Sequence, residues 1–87
     1  MNAAQTELFD RAILRVLDRN RSRLGFGAEA IGFQMIEFGF RNPAPADVLD
    51  RLDYLTGKAL AEEVQKDVHR ANRTWRITDA GIEYLDK

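Results

Sequence analysis

Apolar residues recur every three or four positions early in the chain, which is the period of an amphipathic helix. The apolar stripe consists of Leu8, Phe9, Ala12, Ile13, Val16 and Leu17. Thr6 precedes this stripe and is the expected N-cap, with Glu7 beside the positive end of the helix dipole. Residues 20–27 contain two glycines and a serine, so a loop is predicted after this first helix.

A second helix is predicted over Ala28–Phe38. Ile31, Met35 and Phe38 fall at i, i+4 and i+7 on one face, and Gly39 is a natural stop because it accepts a left-handed conformation. A second apolar set lies nearly opposite Ile31 and Met35, and it consists of Phe33, Ile36 and Phe40. This set is either covered by the rest of the core or exposed as an interface, and the sequence leaves both alternatives open.

A third helix is predicted to begin near Pro45, whose missing N–H suits a first turn, and to end at Gly57. Its core face combines Val48, Leu52 and Leu55, with Leu49 at the flank. At about 100° per residue the opposite face is acidic. Its carboxylates are Asp47, Asp50 and Asp53.

Residues 60–71 fit two structures. Leu60, Val64 and Val68 are spaced by four, as in a helix, and they also share the parity of one strand face, with Glu62 and Lys66 between them. The β-branched and aromatic run TWRIT, residues 74–78, favours a strand, so we predict a hairpin with its turn at residues 69–72. A short last helix follows, with Thr78 as N-cap, a hydrophobic staple from Ile77 to Ile82, and Gly81 allowing close approach to the sheet.

The length indicates one small domain over residues 1–87 with a single modest core, and the predicted helices and hairpin make its fold class α+β. The chain has no cysteine, no signal-peptide pattern at its start and no apolar run long enough to span a membrane, so we expect a cytoplasmic protein without a membrane segment. The single histidine, His69, and the single serine, Ser22, lie in basic segments without a catalytic partner nearby in sequence. We expect no enzymatic activity, no cofactor and no metal.

Charge is spread unevenly along a chain whose formal net charge is −1. Residues 47–63 carry five acidic residues against two basic ones, whereas residues 64–76 carry four basic residues against Asp67 alone. Of these segments, only residues 64–76 have the charge to meet a phosphate backbone.

The run LDYLTGKALAEEV…TWRITDAGIEYL resembles the winged helix-turn-helix superfamily, in which three helices precede a two-stranded wing and a short last helix. The matching residues are Leu52, Leu55, Leu60, Trp75, Ile77, Thr78, Asp79 and Gly81. Within the superfamily, the short length and the opening RAILRVLDRN are most similar to small winged-helix proteins of Mu-like phages and prophages. The sequence departs from the usual pattern at Ala44, where a Ser or Thr often caps the third helix, and in the acidic outer face of that helix.

The resemblance implies a transcriptional regulator that places its third helix in the major groove of double-stranded DNA and its wing on the backbone. The residues expected to contact DNA are Arg51, Tyr54, Lys66, His69, Arg70, Asn72 and Arg73. Arg19, Arg21 and Arg23 add phosphate contacts if they lie on the same side, which the sequence does not show. Three carboxylates approaching phosphates are unfavourable, so the wing is expected to contribute more than the helix.

The alternative is a protein-interaction module that does not bind DNA. In that case the face with Asp47, Asp50 and Asp53 recruits a basic protein partner. Under either hypothesis Phe33, Ile36 and Phe40 are the candidate interface of a two-fold homodimer.

Overall fold

The first helix, α1, spans Ala3–Arg19 in the computed structural model, which describes residues 1–67, 69 and 72–87. It begins before the predicted Thr6 cap, so that prediction is wrong. The N-cap is Asn2, whose side chain accepts a hydrogen bond from the Gln5 backbone N–H at 2.8 Å while the Gln5 side chain accepts from the Asn2 N–H at 3.1 Å. This reciprocal capping box satisfies two N-terminal donors and moves the helix start towards the chain end.

The buried face of α1 is wider than the predicted stripe. Phe9, Ala12, Ile13, Val16 and Leu17 are buried as predicted, but Leu8 is 60% exposed and Leu14 is fully buried. The reason is that α1 packs against the other α-helices and against the sheet, so it is covered on several sides.

The second predicted helix is divided into two parts. Helix α2 spans Ala28–Gln34 and continues as a 3₁₀ helix over Met35–Phe38. Gly39 then adopts a left-handed φ of 93°, which confirms the predicted stop.

Helix α3 spans Pro45–Gly57 and confirms the predicted third helix. Val48, Leu49, Leu52 and Leu55 are all buried. Its N-cap, Ala44, makes no side-chain hydrogen bond, so the first turn lacks the usual hydroxyl cap.

Three antiparallel strands form the sheet: β1 (Phe26–Gly27), β2 (Ala61–Gln65) and β3 (Thr74–Ile77), in the order β1-β3-β2. The hairpin prediction is confirmed over the described residues, but β1 adds a third strand where only a loop was predicted. The Thr74 hydroxyl donates to the Leu24 carbonyl oxygen at 2.7 Å, and Gly25 has a φ of 76° where a side chain would collide with Thr74. These contacts bring the first loop against β3.

The inward face of β2 is formed by Ala61 and Glu63, which lie opposite Ile77 and Trp75. Leu60 precedes β2 and packs half-buried against the core, and Val64 is half-buried within the strand. A bulge between Glu63 and Gln65 changes the alternation. Val68 lies outside the described residues.

The last helix, α4, spans Asp79–Leu85, and its predicted cap is confirmed: the Thr78 hydroxyl accepts from the Gly81 N–H at 3.0 Å. A Cβ at Gly81 would overlap the carbonyl oxygen of Leu60, so the close approach of α4 to the start of β2 requires glycine. Trp75 lies fully buried in the shared core. No helix of the described chain has the length and hydrophobicity needed to cross a membrane.

Candidate functional site

The outward face of α3 is acidic, as its periodicity predicted. Asp47, Asp50 and Asp53 are all exposed, and we call these three carboxylates the acidic face. Asp53 bonds to an arginine of the β2–β3 hairpin at 2.9 Å. Among the described residues, neither Asp47 nor Asp50 forms an ion pair.

Arg51, a predicted DNA contact on the same helix, is bound to a buried carboxylate. Its Nε and Nη2 donate to the two Asp10 oxygens at 2.8 and 2.7 Å, which is a bidentate arrangement. The Asp10 side chain is only 8% exposed and that of Arg51 is 25% exposed. The hydrogen bond to Asp10 is the main cause that raises the pKa of Arg51. The pair joins α1 to α3 and occupies the guanidinium edge that would meet a base or a phosphate.

Tyr54 remains available on the surface beside Arg51. It is 46% exposed, and the Arg51 guanidinium carbon lies 4.2 Å from the centre of its ring. Lys58 Nζ lies 5.7 Å from the same ring centre. The ring therefore shields one face of Arg51, in addition to the contact with Asp10.

Arg73, a predicted contact of the wing (residues 61–77), is held between two carboxylates. It donates to Glu63 at 2.7 and 3.1 Å and to Asp53 at 2.9 Å, and its guanidinium carbon lies 4.9 Å from the Trp75 ring centre. The hydrogen bond from Arg73 is the main cause that lowers the pKa of Glu63, and the same bond raises the pKa of Arg73. The charge of Arg73 is thus neutralised by the fold.

The other predicted DNA contacts of the wing that the structure describes lie on the surface. Lys66, His69 and Asn72 are exposed around the turn. The carboxylate of Asp67 organises this turn, because it accepts from the His69 backbone N–H at 2.9 Å. Arg70 lies outside the described residues, so its predicted contact with DNA stays a prediction.

The first loop lies beside the outer face of the sheet, a relation that the sequence did not show. Arg21 and Arg23 line an open groove of about 620 Å³ together with Arg76. Arg21 pairs with Asp18 and Arg76 pairs with Glu62, so carboxylates are interspersed among these cations too. Arg19 is directed elsewhere and pairs with Glu37.

The three predicted interface residues divide into two kinds. Phe33 is 82% exposed and Ile36 is 56% exposed, so the core of the chain does not cover these two side chains. Phe40 is half-buried and packs on Phe9, with ring centres 5.2 Å apart and the rings tilted.

Asp10 and Glu63 are the important residues that the sequence-based prediction missed. Asp10 is three residues before Ile13 and seven before Leu17, so it shares their buried helix face, and this position is a signal of a paired acid. Glu63 carried no equivalent signal, because its ion pair with Arg73 forms across the hairpin and depends on the pairing of the two strands.

Among the residues that the structure describes, no three histidine, cysteine or acidic side chains come together as a metal site. Neither a protein-family model, nor a curated protein, nor a solved structure matches the chain. The geometry of the acidic face and the wing is therefore the basis for any functional assignment.

Proposed function

We propose that this chain is a winged-helix interaction domain whose acidic face binds a basic segment of another protein. Three helices, with the short β1 after the first, followed by a hairpin and a last helix, support the winged-helix assignment. The observation that carries the functional part is the bidentate Arg51–Asp10 pair. It leaves the outer face of α3 with exposed carboxylates and a guanidinium that is already bonded.

Electrostatics disfavour α3 as a DNA-reading helix. Affinity for DNA comes largely from cations that replace the counterions of the phosphates. Releasing Arg51 for that purpose would leave the Asp10 carboxylate buried without a partner, which costs several kcal/mol. Asp47 and Asp50 would meanwhile repel the phosphate backbone.

A lysine- or arginine-rich protein segment has the complementary chemistry. Asp47 and Asp50 lie on successive turns of α3, so two cations of an extended or helical segment can reach them together. Tyr54 supplies an exposed aromatic ring one turn further on. The expected contact is polar, salt-dependent and of moderate affinity.

Fluorescence anisotropy with a labelled arginine- and lysine-rich peptide tests the proposal. The double variant Asp47→Asn/Asp50→Asn should weaken binding about tenfold, since two exposed charge pairs of roughly 0.5–1 kcal/mol each add to about 1.4 kcal/mol. The matched control is Asp79→Asn/Asp86→Asn, which removes the same charge from two exposed residues, the first residue of α4 and the residue that follows the helix. Equal loss of binding in both variants would contradict the proposal, because it would reflect net charge alone.

A second candidate is binding of the DNA phosphate backbone by the wing, as the winged-helix resemblance implies for a phage or prophage transcriptional regulator. Exposed Lys66 and His69, together with the groove that brings Arg23 beside Arg76, favour it. A duplex titration against salt separates the candidates. Binding that weakens steeply with salt, with a shallower slope for Lys66→Ala/Arg23→Ala, would support this second candidate, whereas no binding of the duplex at low salt would exclude it.

A further inference from the structure

The most exposed phenylalanine of the described chain projects from α2. Phe33 is 82% exposed, and Ile36 beside it is 56% exposed. Glu29 lies one turn before Phe33 on the same outward side of the helix and is also exposed. This segment therefore presents an aromatic knob with a carboxylate next to it.

A groove of suitable size lies between α1 and the 3₁₀ helix of the same chain. Its volume is about 320 Å³, and its apolar lining comes from Leu8, Ala12, Phe38 and Phe40. Leu8 is 60% exposed, so this wall of the groove is uncovered. Dry apolar cavities of roughly 150 Å³ already accept a benzene ring, so the groove has room for a phenylalanine side chain.

The basic edge of the groove complements the surroundings of the knob. Arg11 and Arg15 lie along the groove on successive turns of α1. Arg11 is fixed by donating to the Leu85 carbonyl oxygen at 3.2 Å, whereas the Arg15 side chain is exposed. Glu29 beside the knob has the charge to pair with Arg15 of a molecule that accepts Phe33.

We propose that the occupant of this groove is Phe33 of a second copy of the chain, in a two-fold dimer. Each copy carries both the knob and the groove, and both involve the continuous segment from α2 into the 3₁₀ helix. Two copies related by a two-fold axis therefore exchange Phe33 reciprocally and form two Glu29–Arg15 pairs. Such an arrangement closes on itself, as most homodimers do. It lies apart from the acidic face and does not depend on the partner proposed for it.

Disulfide crosslinking tests the reciprocal contact without crosslinks from native cysteines, because the chain contains none. Equal amounts of Phe33→Cys and Leu8→Cys are mixed, oxidised and separated on a non-reducing gel. The mixture should give a disulfide-linked dimer far more efficiently than either variant alone. If Phe33→Cys alone crosslinks efficiently and mixing with Leu8→Cys adds no further crosslinked dimer, Phe33 of one copy lies against Phe33 of the other. That result would overturn the proposal.

Sedimentation equilibrium tests the dimer in the native chain. The wild type should show a monomer–dimer equilibrium, and Phe33→Ser should weaken it about a hundredfold or more, since an aromatic anchor is lost from both halves. Leu24→Ser is the control, because Leu24 is 77% exposed but lies in the first loop beside β3. A wild type that stays monomeric at millimolar concentration, or a dimer equally stable in Phe33→Ser, would overturn the proposal. The charge-swapped pair Glu29→Arg/Arg15→Glu should restore the dimer that either single change weakens.

Discussion

Replacement of Arg51 by methionine is expected to destabilise the domain strongly, because the arginine neutralises a buried acid. Asp10 is 8% exposed, and breaking a fully buried ion pair from one side costs roughly 3–5 kcal/mol. Arg51 is 25% exposed, so the cost of breaking this pair lies at or below the lower end of that range. Loss of the cation–π contact with Tyr54 adds about 0.5–1 kcal/mol. We therefore expect the free energy of unfolding to fall by about 3 kcal/mol.

Urea unfolding followed by the fluorescence of the buried Trp75 measures this change. For a domain of this size the slope is about 1 kcal/mol per molar urea, so the midpoint of unfolding should fall by about 3 M. Arg23→Met is the control, since that arginine is exposed in the first loop and should change stability by less than about 0.5 kcal/mol.

A double-mutant cycle with Asp10→Leu separates the ion pair from general packing. The double variant Asp10→Leu/Arg51→Met removes both charges and should lie closer to the wild type than Arg51→Met does. We expect a coupling free energy of about 3 kcal/mol. A coupling below about 0.5 kcal/mol would refute the reasoning, because Arg51 would then be free to contact a nucleic acid.

Three further predictions concern residues that stabilise the fold around the site. Gly81→Ala should destabilise the fold by about 2–3 kcal/mol in urea unfolding, because the methyl group would overlap the Leu60 carbonyl oxygen, whereas Gly57→Ala has open space and should stabilise by up to about 1 kcal/mol. The lowered pKa of Glu63 stabilises the folded state fully above the ordinary value of 4.5, and this contribution should be lost as pH falls through the lower folded pKa. The free energy of unfolding of Glu63→Gln should therefore fall less at low pH than that of the wild type. An unchanged pH profile would contradict this assignment. Asn2→Ala should cost about 0.5–1 kcal/mol and lower the helical circular dichroism signal, and no change would show that the capping box contributes nothing.

Local sequence patterns were sufficient to predict the helices that carry the site. Helix α3 follows from the period of Val48, Leu52 and Leu55 and from proline and glycine at its ends. The same period correctly placed the acidic face outward. Gly39 likewise ends a helix through its own left-handed conformation. Thr78 begins a helix through a hydrogen bond from a residue three positions later.

Contacts between distant segments account for what the sequence did not reveal. Strand β1 is two residues long and exists because it pairs with β3, so no alternation of its own indicates it. Arg51 and Asp10 are 41 positions apart, and Arg73 and Glu63 are 10 positions apart across a bulged hairpin. Each arginine looked available when considered with its neighbours alone, and only the tertiary packing shows that its charge is already paired.

Nuclear magnetic resonance titrations of the ¹⁵N-labelled chain test the central claim most directly. A basic peptide and a short DNA duplex are added separately at low salt, and the amide shifts are mapped on the structure. The peptide should shift the signals of Asp47, Asp50 and Tyr54, and the duplex should leave α3 unchanged. Shifts along α3 caused by the duplex, accompanied by displacement of the Arg51 side-chain N–H signal from its Asp10-bound position, would contradict the account.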